Sequence, residues 1–283
     1  MDFRDKVAIV TGASSGIGRE TALALARRGC TVVAVARREK LLATLIEQCR
    51  VDAPDSEYLV GDLGEQRFSE RCVDQTAERF SRLDLLVNNA GMPLHKQIYH
   101  TSAQEVARVM DVNFMSCVWC TFAAIPHMLK GGGGVVVNVS SFAAVVAPPR
   151  EAVYAASKAA MDAFTAGLWS DLYGSGIHVG LVTPGAIDTE IWDKEAEPVA
   201  FDGKKFPASV VVDGIFEVIE KGRREVTAPK RNPGLVAARW LRRLAPALLL
   251  AGMRRMEPVP KAVVDAARER SRAGRRLGDL EGA

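Results

Sequence analysis

Lys6-Val7-Ala8-Ile9-Val10-Thr11-Gly12-Ala13-Ser14-Ser15-Gly16-Ile17-Gly18 opens the chain with a short β-branched run that breaks onto glycines. The run suits a buried strand ending at Thr11. From Gly16 to Arg28 the apolar spacing becomes helical, and Gly29 stops it. Between strand and helix, glycines let the backbone turn tightly and approach a pyrophosphate, whose charge is met by N–H groups at the helix start. A glycine-rich octet alone is weak. Flanked by a strand and a helix, Thr11 to Gly18 has the context that such a cradle requires, with Ser14, Ser15 and Ile17 among its contacts. Gly12-Ala13-Ser14-Ser15-Gly16 also satisfies the Gly-x-Ser-x-Gly nucleophile pattern. Gly18 and the motifs downstream explain the loop as a phosphate cradle instead.

Outward from this stretch, strand and helix patterns alternate. Strands are predicted at Thr31–Val35, Tyr58–Val60, Leu83–Val87, Val135–Val139, Ile177–Thr183 and Glu225–Thr227. Helices are predicted near Glu39–Cys49, Ser102–Met128 and Tyr154–Tyr173. Near-continuous apolar strands separated by helices specify a parallel sheet covered on both faces. The fold class is α/β, a Rossmann-type doubly wound sheet with a C-terminal helical extension. Residues 1–228 form one dinucleotide-binding and catalytic domain, with a substrate lid at about 186–209. Residues 229–283 form a basic, helical extension of it.

The 283 residues are 48% hydrophobic and 25% charged, which excludes collagen, low-complexity disorder and a small disulfide scaffold. Five cysteines and the start Met1-Asp2-Phe3-Arg4-Asp5 point to a reducing, cytoplasmic setting. The apolar run Leu244–Gly252 is far short of the ~20 residues of a bilayer span and contains Pro246, so no transmembrane helix is expected. Residues 1–220 carry 21 Lys and Arg against 28 Asp and Glu, a net −7, whereas 221–283 carry 16 against 6, a net +10. A basic tail can meet an acidic membrane surface, nucleic acid or an acidic partner, or be a solvated face.

At the end of the second strand, a carboxylate would favour NAD by holding the ribose 2′-hydroxyl. The sequence there is Ala36-Arg37-Arg38, and an arginine pairs instead with a 2′-phosphate. NADP(H) is the expected cofactor.

Further segments then fall into register: Asn88-Asn89-Ala90-Gly91 after the fourth strand, Asn113 in a helix, Ser140-Ser141 after the fifth strand, Tyr154-Ala155-Ala156-Ser157-Lys158 opening the next helix, and Pro184-Gly185-Ala186-Ile187-Asp188-Thr189 after the sixth. Over about residues 5–228 the chain closely resembles the ordinary branch of the short-chain dehydrogenase/reductase family. From about residue 229 it shows no match to the common pattern. The resemblance implies that Gly12, Gly16 and Gly18 form the phosphate loop and that Asp62, followed by Leu63, meets the adenine. It implies that Asn89, Ala90 and Gly91 back the cofactor, and that Pro184, Gly185, Ile187 and Thr189 lie along it, Ile187 and Thr189 holding the nicotinamide carboxamide. Asn113, Ser141, Tyr154 and Lys158 match its catalytic tetrad, and the 13-residue interval to Tyr154 selects Ser141 over Ser140. Asn113 is implied to fix a local helix distortion and a proton-relaying water. Sugar epimerases carry a different glycine motif and enoyl reductases a wider Tyr–Lys spacing, so chemistry at a carbon–oxygen bond is expected.

The residues' own chemistry agrees. Tyr154 and Lys158, four apart, share a helix face. A phenol with a pKa near ~10 needs a nearby cation to work at neutral pH. Ser141 can hold the oxygen where charge develops, so substrate meets Ser141 and Tyr154. The activity implied is NADP(H)-dependent hydride transfer at a carbonyl or secondary alcohol. The alternative is an NADP(H)-binding sensor or scaffold without turnover, which retention of both Tyr154 and Lys158 argues against. The family's habit of pairing through its two long helices implies a homodimer or homotetramer.

Other signals read as structure. Cys117-Val118-Trp119-Cys120 has no second cysteine pair or metal-spaced histidine and reads as packing, so no metal site is expected. His95 and His100 are either pocket-lining or ordinary loop histidines. The lid residues Ile191, Trp192, Pro198, Phe201, Phe206 and Pro207 hint at a hydrophobic substrate. In residues 235–256, Trp240, Leu241, Leu244 and Leu248 to Leu250 mix with Arg239, Arg242, Arg243, Arg254 and Arg255 around Pro246. Packing within the protein or an oligomer is favoured there over a membrane surface. Without aromatic interleaving or a recognised motif, nucleic acid is not an expected partner.

Overall fold

In a computed structural model, residues 2–194, 203–230, 233–256 and 258–272 are described. Seven parallel strands form one sheet: β1 (Val7–Thr11), β2 (Thr31–Ala36), β3 (Glu57–Val60), β4 (Leu85–Asn88), β5 (Gly134–Val139), β6 (Ile177–Pro184) and β7 (Glu225–Ala228), in the spatial order β3-β2-β1-β4-β5-β6-β7. The expected doubly wound sheet is therefore present. All five β1 residues are buried because the sheet is covered twice.

Alternation along the strands sorts the core into two layers. Ala8 and Val10 join Leu25 of α1 (Gly16–Ala26), Leu42 and Leu45 of α2 (Glu39–Cys49), and Val211 and Ile215 of a later helix, Ser209–Lys221. Ile9 joins Cys72 and Val73 of α3 (Gln66–Phe80) on the other face. Each fully buried Leu or Ile contributes about 1.5–3 kcal/mol by leaving water.

The single helix predicted at 102–128 is instead three pieces: α4 (Ala103–Met110), a π turn at Asp111–Met115, and α5 (Ser116–Lys130). Ser102 and Glu105 form a reciprocal capping box at its start. Taken as one rod, Ala103–Lys130 is long and apolar enough to cross a membrane, a property the sequence reading overlooked. Its residues Cys120, Ala124 and Met128 are buried in the second core layer, while 39% of its apolar window as a whole is buried.

The remaining helices are α6 (Ala143–Val146), α7 (Ala152–Asp171), α8 (Ser209–Lys221), α9 (Pro233–Leu244), α10 (Pro246–Met256) and α11 (Lys261–Arg272). Pro246 divides the extension, being tolerated in the first turn of α10 but not inside a continuous helix. Leu249 of α10 is buried with Phe142 and Val146, and Leu235, Ala238 and Met253 pack beside them. This small third cluster folds the extension back onto the domain. Pro198, Phe201 and residues 273–276 of the tail fall outside the described residues.

Asp84 ties the start of the sheet together. Its carboxylate accepts bonds from the Val7 N–H at 3.0 Å and from Arg82 Nε and Nη2 at 2.8 and 2.7 Å, and it lies 3.2 Å from Lys6 Nζ. Burial raises the Asp84 carboxyl pKa, but the bonds from Arg82, Val7 and Lys6 outweigh it, and the net shift is downward. The resulting stabilisation is full above the unfolded carboxyl's pKa and is lost as pH falls through the lower folded value. Asp84→Asn should lower stability by about 1–3 kcal/mol at neutral pH. Urea unfolding would show this, and an unchanged midpoint would contradict the role.

Candidate active site

β1 and β4 are neighbours although β2 and β3 intervene in sequence, so the chain runs outward from here in both directions. The ends of strands at such a switch point are where open α/β sheets place their ligands. The turns after β1 and β4 meet there. Thr11 Oγ1 donates to Val87 O at 3.1 Å and accepts from the N–H groups of Asn89 and Ala90 at 2.9 and 3.0 Å. Asn89 Nδ2 donates to Thr11 O at 3.0 Å. Gly12 has φ +67°, and a Cβ on it would lie 2.8 Å from Ala90 Cα. Glycine is required there by both conformation and space.

α1 starts at Gly16, and its cap residue Ser15 makes no side-chain bond to the helix. The Ser15 hydroxyl instead accepts from Arg38 Nη2 at 2.6 Å, and Ser14 Oγ accepts from Arg38 Nε and Nη2 at 3.1 and 3.0 Å. Arg38 also bonds Glu190 at 2.8 Å, spanning from the glycine loop to the lid. The leading N–H groups of α1 thus face the loop without a side-chain cap, as suits a bound phosphate. Arg37 is exposed, and its charge reaches Asp62. Asp62 accepts from Gly64 N–H at 2.9 Å and from Arg108 at 2.5 Å; these bonds outweigh burial and lower its pKa. Leu63 beside it is buried.

Specific bonds hold Asn113, Lys158 and Ser141 in place. Asn113 sits in the π turn, fully buried. Its Oδ1 accepts from Met92 N–H at 2.7 Å, and its Nδ2 donates to Met92 O and Ser157 Oγ, both at 3.0 Å. The widened turn and the strap after β4 are thereby fastened to each other. Ser157 in turn donates to Tyr154 O at 2.7 Å. Lys158 Nζ donates to Val139 O at the end of β5 at 2.9 Å. Burial lowers the Lys158 pKa to about 8. A Cβ on Gly91 would lie 3.5 Å from Lys158 Nζ and 3.6 Å from Asn113 Oδ1, so both polar heads border that glycine. Ser141 Oγ accepts from Ala143 N–H at 3.1 Å, which leaves its own proton to donate elsewhere.

Ser141 and Tyr154 line a cavity of about 620 Å³. Ile17, Pro184, Gly185, Ile187 and Thr189 also line it, as do Trp192 and Phe206. Trp192 Nε1 donates to Ile187 O at 2.7 Å, and Ile187 pairs with Phe206 in a single parallel bridge. His95 lines the cavity and lies 3.7 Å from Glu151, whereas His100 belongs to a short turn at Ile98–His100 and is not part of the lining.

Several contributors escaped the sequence reading. Leu235, Ala238 and Met253 bring the extension into the cavity wall. Ser157 lay inside a quoted motif, but its bonds could not be read from it, and nothing marked Arg108 as the partner of Asp62. Asp162 lies one turn beyond Lys158; burial raises its carboxyl pKa, partly offset by Ser140 and Lys158. Cys117 and Cys120 are buried, Cys117 against Asn138 Oδ1 at 3.3 Å, and burial pushes the Cys117 thiol up to about 12.

The sequence profile described as short chain dehydrogenase matches residues 6–200. The chain is 35% identical over 260 residues to an 11-beta-hydroxysteroid dehydrogenase-like protein 4A of Arabidopsis thaliana, covering 88% of this chain and 84% of that one. It is 37% identical over 190 residues to an uncharacterised oxidoreductase of Thermotoga maritima, covering 67% and 75%. Among solved structures, a short-chain dehydrogenase from Sphingobium yanoikuyae in complex with NADPH superposes with TM-score 0.74 at 28% identity, covering 91% of this chain and 97% of that one. One from Burkholderia cenocepacia in complex with NADP gives TM-score 0.74 at 28% identity, covering 81% and 98%. The chain belongs to the short-chain dehydrogenase/reductase family and is an oxidoreductase of that family.

A methyl group on Gly18 would fall 2.5 Å from both Gly12 O and Asn89 Nδ2. Because Gly12 O is backbone, the loop itself would have to move. Gly18→Ala should therefore weaken NADPH binding at least about tenfold, about 1.4 kcal/mol. Fluorescence titration would read this, and unchanged affinity would show that the loop does not depend on its tight closure.

Proposed function

We propose that this enzyme is an NADP(H)-dependent reductase of ketones, running equally as a dehydrogenase of secondary alcohols, with a bulky apolar substrate. The observation that carries the reading is the convergence of Lys158 and Asn113 beside Gly91, with Tyr154 and Ser141 on an apolar cavity at the switch point of the sheet. The cofactor complexes of the Sphingobium and Burkholderia enzymes support the choice of nucleotide, as does Arg37 where a carboxylate would favour NAD.

The glycine loop and the start of α1 would hold the pyrophosphate, Arg37 and Arg38 the 2′-phosphate, and Asp62 and Leu63 the adenine. Asn89, Ala90 and Gly91 back the nucleotide, while Pro184, Gly185, Ile187 and Thr189 flank its nicotinamide end. A bound nicotinamide supplies or takes the hydride. In reduction, Tyr154 gives its phenolic proton to the carbonyl oxygen, and in oxidation it takes the alcohol proton. The Lys158 ammonium favours the phenolate that remains and grips the nicotinamide ribose. Ser141, its oxygen already accepting Ala143 N–H, donates to the substrate oxygen as charge develops there. Asn113 holds the π turn against Met92 and supports the proton's route to solvent. With a reduced NADPH pool, ketone reduction is the net direction. Five free, buried thiols suit a reducing cytoplasm. Exposed Phe122 of α5, packed against Phe164 of α7, suits pairing with a second copy through these helices.

Tyr154→Phe should abolish oxidation of NADPH by aromatic, long-chain and steroidal ketones while leaving NADPH binding intact. Turnover that survives, or that prefers NADH, would overturn the assignment of the acid or of the cofactor respectively. In the wild type, kcat/KM for reduction should fall as pH rises through about 8, where Lys158 loses its proton. In Lys158→Met that limb should vanish, with activity lowered ~10²-fold or more.

Because Met253 lines the cavity, Met253→Trp should raise KM for steroidal ketones while sparing small aromatic ones. Equal effects on both would deny the extension its part in selecting substrate.

A further inference from the structure

Behind the wall that closes the substrate cavity lies a second cavity, of about 350 Å³. α9 divides them, and its period sends different side chains to the two sides. Leu235 and Ala238 line the substrate cavity. Val236 and Trp240, four apart, make an apolar row facing the second cavity, and Arg239 and Arg243, also four apart, make a cationic row beside it. Thr227 and Lys230, at and just past β7, complete the polar side, while Phe142 and Leu235 line both cavities.

The second lining holds three cations and no carboxylate. Lys230 is paired with Glu217. Arg239 is 3.8 Å from Glu225 with both side chains about half exposed, a weak attachment. Among the described residues, Arg243 meets no carboxylate. An anion would therefore be attracted here. A small inorganic anion does not account for the rest of the lining, which is aromatic and aliphatic. Nor does it account for the size, which is well beyond what one small anion fills. The apolar row also continues outside: Val236, Trp240 and Leu244 are 51%, 58% and 72% exposed along one side of α9.

We propose that this cavity binds the anionic head and one hydrocarbon chain of an amphiphile. A carboxylate or phosphate ester lies among Lys230, Arg239 and Arg243, and the chain runs over Val236 and Trp240 towards Leu244. Free fatty anions and the headgroups of anionic lipids share this chemistry. The site is separate from substrate and nucleotide, yet it touches them through one wall. Phe142 follows Ser141, and its N–H donates to Pro184 O at 2.8 Å. An occupant therefore rests against the residues that shape the substrate cavity. The proposal is independent of turnover.

The test is calorimetric titration of dodecyl phosphate, below its micelle concentration, into the full chain saturated with NADP+. In parallel, the chain is sedimented with phosphatidylcholine vesicles, with and without phosphatidylglycerol. Single-site binding is expected, weakened about tenfold in Arg239→Glu/Arg243→Glu and less in the milder Arg239→Gln/Arg243→Gln pair. It should persist in Arg255→Glu, in Tyr154→Phe, and in Met253→Trp, which fills the neighbouring cavity. Charge-dependent capture of free dodecyl phosphate identifies a soluble ligand. Capture only by the anionic vesicles, with the same dependence on Arg239 and Arg243, identifies a lipid headgroup. Four results would overturn the site: no binding to either probe, binding indifferent to both arginine pairs, binding lost in Met253→Trp, or inorganic phosphate binding as tightly as its dodecyl ester.

Discussion

The site depends on one close contact, that between the turns that leave β1 and β4. Thr11 bonds the Asn89 and Ala90 amides, and Gly12 lies so near Ala90 that no side chain fits between them. Two strands that are distant in sequence are thereby held with their C-terminal turns in register. The glycine loop, the start of α1 and the strap running to Met92 all take their positions from that contact. Asn113 extends the clamp by bonding both main-chain groups of Met92. The cost is a π turn in a helix that would otherwise be regular. The return is a rigid link from the nucleotide edge to the helix bearing Ser157, Tyr154 and Lys158.

Lys158 shows how burial sets chemistry. An ammonium withdrawn from water loses hydration that a single carbonyl, Val139 O, only partly replaces, and its pKa drops to about 8. That value keeps the charge near neutrality. The surroundings screen it poorly, so its influence on a nearby phenol is larger than an exposed lysine's would be. Asp162, one turn along, has its own carboxyl pKa raised by burial and acts against the lowering at Lys158.

The alternation of strands and helices along the chain and the succession of the site residues were legible because both are written in local patterns: apolar runs ending in glycines, and the four-residue step from Tyr154 to Lys158. The break at Pro246 was legible for the same reason. The π turn agrees with the helix distortion that the family resemblance implied at Asn113, but the partner of Asn113, Met92, lies 21 residues away in sequence and no local pattern pointed to it. The bonds of Arg38 were equally hidden. An arginine after β2 suggests a phosphate, but only the fold shows it reaching Ser14, Ser15 and Glu190. A membrane-length apolar rod at Ala103–Lys130 is visible by composition alone. The core packing of Cys120, Ala124 and Met128, which gives that composition another meaning, is not.

The basic extension had the most ambiguous pattern, and the structure explains the ambiguity. A helix facing water on one side and a core on the other has one apolar stripe. α9 has two, because it is a partition between two cavities and not a cover over one. Leu235 and Ala238 answer to the substrate cavity, while Val236 and Trp240 answer to the cationic one. Two of the arginines that make the sequence resemble an interfacial helix, Arg239 and Arg243, lie beside the second stripe. A single helix can meet both demands because positions one residue apart, such as Leu235 and Val236, point about 100° apart around the axis.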